Sequence, residues 1–119
     1  MRNFRELEVW KEARVLVKKI YSLTATLPEI EKYGLSSQIN RCAVSIPANI
    51  AEGCGKNSNK NFARFLQISL GASYELETHL ILCEDLRFIA PEQTKSIINS
   101  IQLLQRRITS LIKYNNTSK

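Results

Sequence analysis

The side chains capable of chemistry are few: one histidine, His79, three cysteines, Cys42, Cys54 and Cys83, and scattered carboxylates. A di-metal centre of the ferritin type needs inward glutamates and two Glu-x-x-His motifs. Here Glu75 and His79 stand four apart and no second histidine exists, so one chain cannot build it. A zinc site would need His79 together with cysteines from separate helices. No motif supports a serine–histidine–acid triad. Gly53 and Gly55 lie beside Lys56, but a phosphate loop needs G-x-x-x-x-G-K-[ST] after a strand, and no strand is evident. His79 falls at an apolar-facing position and reads as a satisfied core or interface histidine. The cysteines, odd in number and without a C-x-x-C pair, read as reduced, buried thiols. No catalytic residue, metal or cofactor is expected, and the chain reads as non-enzymatic.

The basic residues are the next candidates. The chain has 119 residues and a formal net charge of +6, which suits a polyanion partner and is also an ordinary surplus for a soluble domain. Lys11, Arg14 and Lys18 form a stripe at i, i+3 and i+7, diluted by Glu8 and Glu12. Lys56, Lys60 and Arg64 gather where a third helix begins, a placement that opposes the helix dipole. Arg106 and Arg107 face outward on a fourth helix. These eight are the candidates for contacts to phosphates. No aromatic RNA-binding motif accompanies them, so sequence-specific readout is not expected.

A third set lies on the second helix. Gln38, Arg41, Ser45, Asn49 and Glu52 recur as one polar stripe, and between Leu35 and Gly53 only Arg41 and Glu52 carry charge. One reading is structural: Arg41 pairs with Glu75 on the third helix, and Asn49 satisfies carbonyls freed by Pro47. The other is a polar surface lining a subunit interface or a ring channel.

The elements that must hold these residues are helical. Leu7, Trp10, Ala13, Val17, Ile20 and Thr24 recur at spacings of three and four, which predicts a helix over about 6–25. Pro28 ends it. A second helix spans about 35–54, with Leu35, Ile39, Cys42, Ile46, Ile50 and Gly53 on its core side and Ser37, Val44, Ala48 and Ala51 on a small-residue side. So little charge suggests that both sides are covered. Pro47 predicts a kink, or a local break that frees the carbonyl of Ala43; two separate helices are the alternative. Ser58 is placed to cap a third helix over about 59–86. Its seam, Phe62, Leu66, Ser69, Ser73, Leu76, Leu80 and Cys83, follows a 4-3-4-3 spacing. Mid-helix Gly71 suggests close approach of another helix. Pro91 opens a fourth helix over about 92–114, with Ile97, Ile101, Leu104, Ile108 and Leu111 in the same rhythm. Residues 1–5 read as a polar arm and 115–119 as a frayed tail. Four helices with short connections predict an all-α, single-domain, antiparallel up-down-up-down bundle, with its second helix kinked at Pro47. No apolar run is long enough for a membrane span, and the opening Met1-Arg2-Asn3-Phe4-Arg5-Glu6 lacks a signal-peptide pattern, so the chain is expected to be cytoplasmic.

The strings Phe4-x-x-Leu7-x-Val9-Trp10-x-x-Ala13, Tyr33-Gly34-Leu35-x-x-Gln38-Ile39-x-Arg41, Val44-Ser45-Ile46-Pro47-Ala48-Asn49-Ile50-Ala51-Glu52-Gly53, then Ser58, Phe62, Phe65-Leu66 and Gly71-x-x-x-Glu75-Leu76-Glu77-Thr78 carry a resemblance. They resemble the bacterial four-helix-bundle family encoded in intervening sequences of 23S ribosomal RNA genes, also called the S23 ribosomal protein family. More distantly they resemble the accessory subunits of diversity-generating retroelements, basic bundles that work with a reverse transcriptase and nucleic acid. The match covers about residues 4–112. Cys42 and Cys54 stand where the family has Ala or other small or polar residues, and Asn61 where it has an acid. The resemblance implies a homopentameric ring and an association with ribosomal RNA gene insertions, without an activity. Two functions follow as expectations: an oligomeric module binding structured RNA or DNA through its basic residues, or a protein-interaction scaffold.

Overall fold

The computed structural model describes residues 2–117. Among them are four α-helices and no strand: α1 (Glu8–Thr24), α2 (Leu35–Cys54), α3 (Asn59–Asp85) and α4 (Pro91–Thr117). Single 3-10 turns at Phe4–Glu6 and Glu29–Glu31 precede α1 and α2. At about 1.5 Å per residue a helix of the length of α3 or α4 spans roughly 40 Å, which sets the long axis of a body measuring 48 × 23 × 19 Å. α1 packs on α2 and α4, α2 on α3, and α3 on α4, while α1–α3 and α2–α4 are the untouching diagonals of an antiparallel square bundle. α2 against α3 is the most intimate pair, and α1 against α4 the most open. None of the described helices is long and apolar enough to cross a membrane.

The seam read from the spacing is the core. Phe62, Leu66, Ser69, Ser73, Leu76, Leu80 and Cys83 of α3 are all buried, against Ile39, Ile46 and Ile50 of α2, Ala13 and Ile20 of α1, and Ile101 and Ile108 of α4. Serines are tolerated in this seam because each hydroxyl has a carbonyl to donate to. Ser73 Oγ donates to Leu70 within α3, and Ser69 Oγ donates across to the Ile46 carbonyl of α2 at 2.9 Å. α2 continues unbroken through Pro47, so the reading as two helices is set aside. Asn49 Nδ2 donates to the Ser45 carbonyl and hydroxyl, both at 2.9 Å, rather than to the Ala43 carbonyl that the proline leaves without its usual donor. Ser58 caps α3 as expected, its Oγ accepting from the Asn61 N–H at 3.1 Å.

Three boundaries differ from the reading of the sequence. The stretch before Glu8 is a separate 3-10 turn, capped by Asn3, whose side chain accepts the Arg5 N–H. α3 ends in a Schellman motif built on Arg87 at φ 62°, with Arg87 N–H to Glu84 O at 3.0 Å and Phe88 N–H to Cys83 O at 2.9 Å. No glycine signals that end, because Arg87 itself takes the left-handed conformation. The third difference joins both chain ends. Arg2 is no free arm: its N–H donates to the Cys54 carbonyl, its guanidinium donates to Asn59 and Asn115, and it lies 4.0 Å from the centroid of the Phe62 ring. Asn115, expected in a frayed tail, is buried and also donates to the Leu111 carbonyl. A polar residue at a polar end gives no periodic signal, and its burial depends on a partner more than a hundred residues away in sequence. Residues 118–119 of the expected tail lie outside the described residues.

Two glycines predict opposite outcomes. A Cβ on Gly53 would sit 2.8 Å from Phe65 Cβ and 3.3 Å from the Phe62 carbonyl oxygen, whereas one on Gly71 would meet nothing within 4 Å. Gly53→Ala is expected to destabilise the protein by about 1–3 kcal/mol through overpacking, and Gly71→Ala to stabilise its helix by up to about 1 kcal/mol. Urea denaturation of the two variants checks the signs.

Candidate functional site

The antiparallel order brings the start of α1, the end of α2, the start of α3 and the end of α4 to one end of the bundle, where Arg2 ties them together. This end collects basic side chains from distant parts of the chain: Arg2, Arg5, Lys11 and Arg14 from the first segment, Lys56, Lys60 and Arg64 from the next, and Arg106, Arg107 and Lys113 from α4. Glu6, Glu8, Glu12 and Glu52 are the acids there. The opposite end carries Glu29, Glu31, Glu84, Asp85 and Glu92 with Lys32, Arg87 and Lys95. Charge is therefore polarised along the long axis.

The eight basic candidates do not form a single patch. Lys11 is paired with Glu8 at 3.2 Å, and Arg107 with Glu12 across the α1–α4 seam, so these two are partly neutralised. Arg14 stacks over Trp10 at 5.5 Å and Lys56 over Phe65 at 4.9 Å. Lys18 lies midway along α1. Lys60 and Arg64 come closest to a site: with Asn61, Ala63, Gln67 and Asn116 they line a cleft of about 350 Å³ between the start of α3 and the end of α4. Lys60, Arg64 and Arg106 are exposed.

The α1–α4 seam is a second candidate surface. Three cavities follow one another along it, of about 350 Å³ beside Leu7 and Leu111, 290 Å³ beside Val15 and Leu103, and 460 Å³ beside Leu23 and Ile97. Val15 and Leu103 are 55% and 42% exposed, so the groove has an apolar floor, and Lys11, Glu12 and Lys19 also line it. On the opposite side of the bundle, Val44 of α2 and Ile68 and Leu82 of α3 are also exposed. Ala48 and Gly71 lie bare among them. The small-residue side of α2, expected to be covered, is thus open in the single chain.

The polar stripe of α2 does not join into a network within the chain. Ser45 and Asn49 bond to each other, while Gln38, Arg41 and Glu52 are exposed. Among the described residues no ion pair links Arg41 to Glu75. Glu75 instead lies 3.7 Å from His79 Nε2 and beside the Cys42 thiol. The ligating atoms of Cys42, Glu75 and His79 all lie within 4.8 Å of one another. Burial, then the hydrogen bond to Glu75 and its charge, push the Cys42 thiol up to about 12, with Arg41 pulling the other way. His79 is not the satisfied histidine expected: both ring nitrogens are buried without a hydrogen-bond partner, at a cost of about 1–3 kcal/mol for each unmet group. Sequence reasoning required cysteine and histidine from separate helices for a metal site; α2 and α3 supply them.

One polar contact was missed in the reading of the sequence. Glu77 of α3 accepts from Gln102 at 3.1 Å and from buried Gln105 at 2.9 Å, clamping α3 to α4. An i, i+3 pair of glutamines on α4 is the signal that would have found it.

The raised thiols predict alkaline sensitivity. Burial also raises Cys83, to about 11, with the charge of Glu31 adding to it, and raises Cys54 against the charge of Arg2. A thiol whose folded pKa exceeds its unfolded value contributes its full stability below the unfolded pKa and loses it as pH rises toward the folded one. For Cys42 that window runs from about 9 to about 12, with a limiting slope of about 1.4 kcal/mol per pH unit. Cys42→Ala is expected to flatten the fall in melting temperature across this window relative to the unsubstituted protein.

Comparison with known proteins places this arrangement. A bundle from Bacteroides thetaiotaomicron VPI-5482, described as a protein of unknown function from the S23 ribosomal protein family, superimposes with a TM-score of 0.82 at 31% identity, covering 88% of this chain and 98% of that one. No curated protein matches. The family model for the 23S rRNA-intervening sequence protein matches residues 5–110, which takes in all of α1, α2 and α3 and most of α4. The spacing of the seam, the Ser45–Gly53 string and the four-helix square therefore have one source: the chain belongs to the 23S rRNA-intervening sequence protein family.

Proposed function

We propose that this protein is a non-enzymatic, self-assembling module that binds structured RNA, ribosomal RNA in the first instance, through the phosphates of its backbone. The observation that carries the reading is the gathering of basic residues at one end of the bundle, around the Lys60–Arg64 cleft, while acids and bases nearly balance at the other. A phosphate backbone is attracted to such an end far more than to its opposite, which orients the protein without reading bases. The family's link to an intervening sequence of 23S rRNA makes ribosomal RNA the polyanion to test first. DNA, with the same phosphates, is the comparison.

Self-assembly is supported by the two bare apolar surfaces on opposite sides of the bundle. A groove along α1–α4 and a face on α2 and α3 differ from each other, so contact between them is head-to-tail, and such contacts close into rings when the rotation allows. The occupant of the groove is a second copy of this chain, in keeping with a homopentameric ring. Around a ring the basic ends of neighbouring subunits would add to one another.

Two measurements test these statements. Binding to a structured rRNA fragment should weaken steeply with salt, log K falling by about 0.9 for each phosphate contacted in duplex regions. Paired substitution Lys60→Glu with Arg64→Glu should reduce both affinity and slope, whereas Lys95→Glu at the other end should leave them unchanged. Absence of binding at about 50 mM salt, where phosphate contacts are strong, would sink the RNA reading and leave a protein-interaction scaffold. Leu103→Glu, which places a charge on the apolar floor of the groove, should dissociate the assembly in analytical ultracentrifugation while the helical circular dichroism is retained.

A further inference from the structure

We propose that Cys42, Glu75 and His79 form a binding site for one zinc ion on the α2–α3 face, with all three ligands supplied by one chain. Three observations carry this. The three ligating atoms, a thiol, a carboxylate oxygen and an imidazole nitrogen, lie within 4.8 Å of one another. Zinc bonds of about 2.0–2.3 Å hold tetrahedral ligands roughly 3.5 Å apart, so small side-chain rotations close the set. Two of the ligands, Glu75 and His79, are one helical turn apart on α3, and Cys42 faces them from α2. Their backbones are held by the intimate packing of those helices.

The second observation is that His79 has both ring nitrogens buried and unpartnered, although Glu75 lies beside it. A structural histidine at a helix–helix contact normally donates or accepts with at least one of them. A metal ion supplies the missing partner. The third is the chemistry of the donor set. One sulfur, one nitrogen and one oxygen suit a borderline-soft ion such as Zn²⁺, whereas calcium and magnesium require oxygen donors. On binding, Cys42 gives up its thiol proton to solvent and the ion takes the position between sulfur, carboxylate and imidazole. In the single chain Glu75 is exposed and His79 retains an exposed edge, which leaves a path for the ion before a neighbouring copy covers this face.

The site is separate from the Lys60–Arg64 cleft and does not rest on RNA binding. The test uses the full chain, reduced and stripped with a chelator that is then removed. Zinc is titrated in competition with a chromophoric chelator, and Co²⁺ serves as a spectroscopic stand-in, since only a thiolate ligand produces its intense charge-transfer band. The expected result is about one ion per chain and a cobalt–thiolate band. Cys42→Ser should lose the band, His79→Gln should lower zinc affinity by about a hundredfold or more, and Cys54→Ser and Cys83→Ser should leave both unchanged. In the unsubstituted protein, zinc binding should also release the Cys42 thiol proton, read as acid in a weakly buffered titration, so the outcome does not depend on any variant folding. A missing band, a band that survives Cys42→Ser, or zinc binding without proton release would each overturn the proposal.

Discussion

The closeness of α2 and α3 is the constraint on which the other features depend. Gly53 has no side chain because the Phe62 carbonyl and Phe65 Cβ occupy the space where one would be. With the two backbones that near, a serine on one helix reaches a carbonyl on the other, as Ser69 does to Ile46 in the turn interrupted by Pro47. This bond matters more than its modest net energy suggests. The Ser69 hydroxyl is fully buried, and without the Ile46 carbonyl it would be left unmet in the core. The same packing sets Cys42 against Glu75 and His79 farther along the pair. A longer side chain at residue 53 would push apart the helices that hold that cluster.

Topology then does for charge what packing does for the core. No basic run in the chain is long, and each is separated from the next by a helix or more. Antiparallel order folds Lys56, Lys60 and Arg64 back beside Arg106 and the start of α1, and Arg2 locks the convergence by touching Cys54, Asn59, Phe62 and Asn115. Like charges brought together repel, and part of that repulsion is relieved locally, by Glu8 on Lys11 and by Glu12 on Arg107. The Arg107–Glu12 pair also bridges α1 and α4 where their packing is loosest. What is left unneutralised at Lys60 and Arg64 is the part of the field available to a partner.

The fold was legible because its signal is periodic. A 4-3-4-3 spacing names a buried seam before any coordinate is known, and all seven seam residues of α3 are buried. Gly53 or Gly55 reads as a left-handed cap for α2, but neither takes that conformation: Gly55 caps the helix at φ −83°. What periodicity cannot show is pairing across the sequence. Asn115 looked like tail because its partner is Arg2, and Arg87 gave no glycine-like sign of a helix end. Arg41 and Glu75 looked like an ion pair because opposite charges on facing helices usually suggest one. Which charge meets which depends on a rotation of a few tens of degrees about each helix axis, and that rotation turned Glu75 toward Cys42 instead.

His79 concentrates the difference between a structural and a functional polar group. Ser69, Ser73, Thr94 and Gln105 are all buried, and each has found a carbonyl or a carboxylate within its own chain. The bundle therefore satisfies polar groups readily, and an imidazole with two unmet nitrogens is an exception within it. A fold that can hold a leucine at such a position gains nothing from a histidine without a partner, since the unmet group only subtracts from stability. The carboxylate and the thiol beside it make the exception chemical rather than steric. Glu75 helps hold the Cys42 proton in place, and its charge is what would draw a cation in. The cost of His79 is thus local to one face of α2 and α3, away from the basic end, and the surface charge and the ligands in the seam occupy different parts of the same bundle.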